Sequence, residues 1–436
     1  MKQNHSDALF SKYVIDGVKY DVTPSEMLDE CMLPSDVDDE KPEGEFPEIW
    51  DETVDTPPEN IVYSAEDIPI YIRDVTAAAP AAQDREFNLR YPECFARQRV
   101  AAALIDTLWL DGEFRMDDLR LWAEWSWSEE SVGNMAAFYS SVQSVTEYIY
   151  DLGVEIQGYL YDEGEGECLN SYFVTLASFA DEDESDDDAE IEDVPDKDWE
   201  EDDAPGEDRL WTVGGCSDIE IDENRDVWMG DERKCSAHLV GRKASGASSS
   251  EGSSKPVPKL SDSGSFLVYV PFDTCAPKLG GSLFAKTLGL SGGAAPVISD
   301  PDYFIDCYEV VRDLVSDGIV LSARTVCDGG LAVAAEKLAS GSGVGIHLNV
   351  NGICSACDEK DMVKVLFSEI PGVLLQIDEN DSDYIDSQFL LQDVAYYRVG
   401  RPDASVSGVE VAPESNGVDR ILASLLDSAE TTEGED

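Results

Sequence analysis

Apolar positions recur three and four apart along SVGNMAAFYSSVQSVTEYIYDLG, placing Met135, Phe138, Val142, Val145, Ile149 and Leu152 on one face. That spacing predicts an amphipathic helix, with Gly153 available to close it. The Ala-rich stretch ECFARQRVAAALIDTLWL predicts a second helix, with Phe95, Val100, Leu104 and Leu108 near one face. VEIQGYLYDE and SYFVTLASFA have the alternation of paired strands. Further along, FLVYVPF predicts a strand and KLGGSLFAKTLG a Gly-containing loop running into a helix. Ser299-Asp300-Pro301 then opens a helix with Pro in its first turn, burying Phe304, Tyr308, Val311 and Leu314 or Val315. LSARTVCDGGLAVAAEKLASGSGVGI reads as strand, tight turn at Asp328-Gly329-Gly330, small-residue helix and a Gly-rich descent into another strand. Strands are also expected over 344–350, 373–377 and 394–399. The pattern is α+β: two domains of mainly antiparallel sheet with helices on one face.

Between these periodic segments the chain changes character. Residues 1–60 are acidic and broken by Pro, and are expected to be a solvated arm with one short strand over 13–22. The first α+β domain is expected over 61–180. An insertion over 181–265 follows: residues 181–208 hold 18 acidic residues among 28, and residues 243–265 are rich in Ser, Gly and Pro. Neither stretch is expected to be ordered, and a small hairpin is expected between them. The second α+β domain is expected over 266–401, and an acidic tail over 402–436.

Charge narrows the partners. Among 436 residues there are 93 acidic and 30 basic ones, a formal net charge of -63. Such a chain repels nucleic acid and anionic membrane, so direct binding to either is not expected. The acidity either keeps the surface solvated or faces a basic protein partner; a homo-oligomer is the other association considered. The ten cysteines show no framework spacing, and no apolar run approaches a membrane span, so a reducing, cytoplasmic setting is expected. Cys354 and Cys357 form a lone CxxC, and Cys216, Cys235 and His238 a loose group; ordinary thiols are the expectation for both, and no metal site is assigned. His5, His238 and His347 lie far apart in sequence and lack a trusted nucleophile setting; His347 is expected on a sheet face.

The Asp328-Gly329-Gly330 turn would aim a carboxylate and bare backbone N–H groups at one point, as phosphate and Mg²⁺ sites do. LGGSLFAKTLG resembles the L-G-G-S-x-x-A-K-x-L-G stretch of phosphoribosylformylglycinamidine synthase, a member of the aminoimidazole ribonucleotide synthase-like superfamily. ARTVCDGGLAVAAEKLA resembles its A-H-D-x-S-D-G-G-L-x-V-x-x-x-E-M-A segment, and LFSEIPGVLLQI its L-F-[SN]-E strand start. More weakly, DLRLWAEWSW and LGVEIQGYLYDE resemble the L-S-A-N-W-M and V-G-K-D-S-L-S-M stretches in the second half of the large form. The resemblance implies an aminoimidazole ribonucleotide synthase-like fold, and a nucleotide and Mg²⁺ site around Gly158, Gly280, Gly281, Ser282, Asp328, Gly329, Gly330 and Glu369.

Departures from the pattern carry as much weight. The pattern's His-Asp pair is Arg324 and Thr325 here, and its Ser is Cys327. Tyr159 and Leu160 replace Lys and Asp, while Trp122 and Glu124 replace Ser and Asn. Mg²⁺ needs several hard oxygen ligands, and ATP needs charge-assisted contacts, so the turn is expected to keep its shape and lose its chemistry. The resemblance then implies a vestigial site, no catalytic residues and no cofactor. Silent relatives of this synthase act as structural proteins in some viruses, which extends the expectation to a virion. The alternative is a subunit of a split purine-biosynthetic synthase, binding ATP and Mg²⁺ and working with separate chains.

Overall fold

A computed structural model describes residues 7–32, 46–60, 62–82, 89–110, 114–164, 168–176, 211–213, 219–221, 226–229, 232–236, 260–261, 264–340 and 342–413. The expected disorder over 181–208 and nearly all of that over 243–265 lies outside the described residues. So do Cys216, His238 and the tail beyond residue 413.

A four-stranded sheet runs in the order Glu155–Glu163, Leu119–Trp127, Cys168–Leu176, Trp211–Val213. In strand Leu119–Trp127, Leu119, Leu121, Ala123, Trp125 and Trp127 are buried in one core with helices Pro92–Asp106 and Asn134–Leu152, and Trp122 is buried on the opposite face. The indoles find partners there, Trp125 Nε1 donating to Ser141 Oγ at 3.1 Å and Trp127 Nε1 to the Asn134 carbonyl at 2.7 Å. Helix Asn134–Leu152 buries the face its spacing predicts and ends on Gly153, at φ 70°. Helix Pro92–Asp106 is buried almost all round, because it lies between helix Asn134–Leu152 and the sheets of both halves. Ile219–Ile221, Asp226–Met229 and Glu232–Ser236 form a three-stranded antiparallel meander, one strand more than the expected hairpin.

The second sheet has six strands, in the order Val320–Val326, Gly372–Asp378, Ser265–Pro271, Tyr397–Asp403, Gly345–Leu348, Val409–Val411. All its pairings are antiparallel except the last. Here helices cover both faces, not one. Phe266, Val268 and Val270 point to helix Pro301–Ser316, whereas Leu267 and Tyr269 point to the core of helices Gly330–Ala339 and Met362–Phe367. The runs FLVYV and VLLQI, apolar but for the buried Gln376, require this: a strand with one wet face would alternate. Helix Pro301–Ser316 also joins the halves. Phe304 packs edge-on to Phe272 and Tyr148, at 5.1 and 6.2 Å between ring centroids, and Tyr308 OH lies 2.8 Å from Thr107 Oγ1.

Two expectations need correction. Residues 1–60 are not simply an arm. The stretch over 13–22 is a hairpin, Tyr13–Ile15 and Val18–Tyr20, because Asp16 and Gly17 take the positive φ values of a tight turn. Ile49–Asp51 adds in parallel, Pro24–Glu30 is a helix with a Thr23/Glu26 capping box, and Ala8, Tyr13 and Leu28 are fully buried. The Asp51 carboxylate accepts from the Gly133 and Ala136 N–H groups at 2.7 and 2.9 Å, capping helix Asn134–Leu152 from outside. Second, helix Ile68–Ala78 lies within the span 61–180 but packs against helices Leu283–Thr287 and Gly330–Ala339, burying Ile68, Tyr71, Ile72 and Val75. No helix among the described residues is long and apolar enough to cross a membrane.

Candidate functional site

Three separate sequence stretches meet at Glu369, which is 2% exposed. Its Oε1 accepts from the Leu283 N–H at 2.7 Å and the Gly329 N–H at 2.9 Å. One carboxylate oxygen therefore ties the LGGSL loop to the CDGGL turn, at the point where helix Met362–Phe367 gives way to strand Gly372–Asp378. Charge-assisted bonds to backbone N–H groups are the strong kind, and here they fix two loops to one strand.

The turn itself is built for close approach. Gly329 and Gly330 have φ of 79° and 67°, and the Gly330 N–H donates to the Cys327 carbonyl at 2.8 Å. A methyl on Gly330 would fall 2.6 Å from the Ser368 carbonyl oxygen. Gly329, not Asp328, is the N-cap of helix Gly330–Ala339; Asp328 is half-buried beside it.

Gly280 and Gly281 face protein rather than open space. A methyl on Gly281 would meet the rings of Tyr91 and Phe95 at 2.8 and 2.9 Å. Gly280 is pressed against Ala294, to whose carbonyl it donates at 2.9 Å. Ser282 caps helix Leu283–Thr287: its Oγ accepts from the Ala285 N–H at 3.2 Å and donates to the Leu279 carbonyl at 2.8 Å. Gly158 belongs to the other sheet, and the Trp122 ring lies directly over it. Trp122 Nε1 donates to Glu124 Oε1 at 2.8 Å, so the two residues that depart from the resembled pattern hold each other. Tyr159, standing where that pattern has Lys, is bonded to Ser25 and to Asp29, both at 3.1 Å, and so anchors helix Pro24–Glu30.

Sequence reasoning missed Asp106, Trp109 and Lys337. Thr325 Oγ1 donates to Asp106 Oδ1 and accepts from Trp109 Nε1 at 2.8 Å, joining the end of helix Pro92–Asp106 to the edge strand Val320–Val326. Burial pushes the Asp106 carboxyl up to about 6, against the opposing pull of Thr325 and Arg324. Protonation therefore favours the folded state. This contribution is fully present below about pH 4, the range of an unfolded Asp, and is lost as pH rises through about 6. The stability of Asp106→Asn minus that of the wild type should accordingly rise between pH 4 and 6 and level off above; urea midpoints across that range check it. A difference flat with pH would contradict the assignment.

Lys337 had a signal that could have found it. Aligned without gaps on the signature segment, it falls on the pattern's Glu, while Arg324 falls on its His; both changes add positive charge. Burial lowers the Lys337 ammonium, Arg324 lowers it further, and Asp328 and Cys327 oppose. Burial likewise lowers Arg324, against Asp106. Among the described residues no group of His, Cys, Asp and Glu has the geometry of a metal site. Cys354 is buried and Cys357 exposed at the end of helix Asn351–Ala356, and His347 is an exposed sheet-face residue between Asp403 and Glu410, at 2.9 and 3.5 Å.

Residues 267–407 match the family described as AIR synthase related protein, C-terminal domain. The probable chloroplastic/mitochondrial phosphoribosylformylglycinamidine synthase of Arabidopsis thaliana is 23% identical over 330 residues, covering 75% of this chain and 19% of that protein. The human phosphoribosylformylglycinamidine synthase is 27% identical over 115 residues, covering 26% of this chain and 8% of its own length. The chain thus spans a fifth or less of these relatives. Among solved structures, T. maritima PurL complexed with FGAR is 12% identical with a TM-score of 0.47, covering 77% of this chain and 45% of that one. The E. coli hydrogenase maturation protein HypE is 12% identical with a TM-score of 0.39, covering 73% and 76%.

Proposed function

We propose, from the premise that this chain is an AIR synthase-like protein, that it acts without catalysis, as a scaffold or protein-interaction molecule. One observation carries the reading. Where the resembled signature has a carboxylate, this chain has Thr325, and the Thr325 hydroxyl is engaged between Asp106 and Trp109 in joining the two halves. A position suited to Mg²⁺ has become a structural latch, and function follows sites rather than folds.

The other positions of the resembled site support the same reading. The signature's Glu is Lys337, Glu369 is bonded to two backbone N–H groups, and the Trp122 ring covers Gly158. Among the described residues no cluster of hard oxygen ligands offers an octahedral Mg²⁺ its cage. The excess of 93 acidic over 30 basic residues suits a basic protein partner better than nucleic acid or an anionic membrane.

Phosphate release from ATP in the presence of Mg²⁺ tests the proposal. The purified chain should release no more than buffer. Release abolished by Glu369→Gln would instead favour a working subunit of a split synthase.

A further inference from the structure

Arg324 and Lys337 share one location. Arg324 lies on the edge strand Val320–Val326, two residues before Val326, and Val326 packs in the core under helix Gly330–Ala339. The two residues therefore face that helix together, since side chains alternate along a strand. Lys337 is on the same helix, and a long helical side chain leans back toward the helix N-terminus, here the Cys327–Gly330 turn. Both residues are half-buried, which leaves them reachable from solvent. Among the described residues neither forms an ion pair. In a chain with 93 acidic and 30 basic residues, two neighbouring half-buried cations outside any ion pair are unexpected. Asp106 and Asp328 lie nearby and attract Arg324 and Lys337 respectively, Asp106 while also bonded to Thr325.

We infer that Arg324 and Lys337 form a metal-free binding site for a small phosphate-type oxyanion at the mouth of the CDGGL turn. The guanidinium offers two parallel N–H donors to two oxygens, and the ammonium supplies a mobile point charge. Relative to the resembled signature, a His has become Arg and a Glu has become Lys, so the preference has shifted from binding a cation to binding an anion directly. The net charge of -63 does not forbid this. At physiological salt, exposed charges more than about 8 Å away are largely screened, so the local pair decides. The inference stands independently of the absence of catalysis, because it involves neither nucleotide nor Mg²⁺.

The test uses the full chain in EDTA, with inorganic phosphate as the probe, followed by calorimetry and thermal melting. The wild type should bind phosphate saturably, and Arg324→Gln and Lys337→Met should each weaken binding at least tenfold. Without phosphate, Lys337→Met should melt higher than the wild type, since it removes a desolvated like charge. Phosphate should raise the wild-type Tm and leave both variants unmoved. Sulfate should substitute for phosphate and acetate should not; equal binding of acetate would overturn the tetrahedral-anion assignment. Equal Tm rises in all three proteins, or no saturable binding, would overturn the site itself.

Discussion

Glu369→Ala should destabilise the protein by about 3–5 kcal/mol. Two backbone N–H groups, those of Leu283 and Gly329, lose their shared acceptor in a buried setting. Each unsatisfied donor costs about 1–3 kcal/mol, and the truncated side chain leaves a void as well. Glu369→Gln keeps a carbonyl oxygen at the same place and should cost less than half as much. Urea unfolding of a third variant, Glu369→Met, decides between this bridging role and simple space-filling: Met fills the same volume without an acceptor, so bridging predicts a loss close to that of Ala and space-filling a loss close to that of Gln. The Ala variant, unlike the Gln variant, should also loosen the LGGSL loop, detectable as faster hydrogen exchange at Leu283 and Gly329.

The second large effect is expected from Gly330→Ala, at about 2–4 kcal/mol. An L-residue at the positive φ of this position is strained by about 1–3 kcal/mol. The added methyl would also sit 2.6 and 2.8 Å from the carbonyl oxygens of Ser368 and Leu366, which are backbone and cannot rotate away. Gly153→Ala serves as a contrast: its φ of 70° carries the strain, but nothing lies within 4 Å of the new methyl. Equal losses in the two variants would show that conformation alone matters and that the turn is not packed against Ser368.

Much of this fold can be read from local pattern. Helix Asn134–Leu152 follows from its three-and-four spacing and from Gly153, and helix Pro301–Ser316 from the Asp300-Pro301 start, with Asp300 Oδ1 accepting from the Tyr303 N–H. What escapes is set by contacts distant in sequence. Helix Ile68–Ala78 has buried positions at 68, 71, 72 and 75, but its short run between Pro-bearing segments offers little periodicity to weigh. Residues 1–60 look acidic and polar, yet a D-G turn and the Asp51 cap fix the described parts, 7–32 and 46–60, against helix Asn134–Leu152.

The site divides in the same way. The Gly turns and Glu369 are recognisable because each sits in an ordered motif, and the structure brings Leu283, Gly329 and Glu369 together. The Asp106–Thr325–Trp109 latch joins residues more than 200 positions apart, and no local signal announces it. Lys337 was legible in principle as a reversal of charge on the signature. Its meaning depends on the fold placing it beside Arg324.

The central claim is that the turn keeps its geometry without holding Mg-nucleotide, and calorimetry with Mg-ATP at moderate salt tests it most directly. The account predicts no binding tighter than about 100 μM, equivalent to a binding free energy weaker than about 5.5 kcal/mol. Micromolar binding that Asp328→Ala abolishes would contradict it and restore a nucleotide site to this fold.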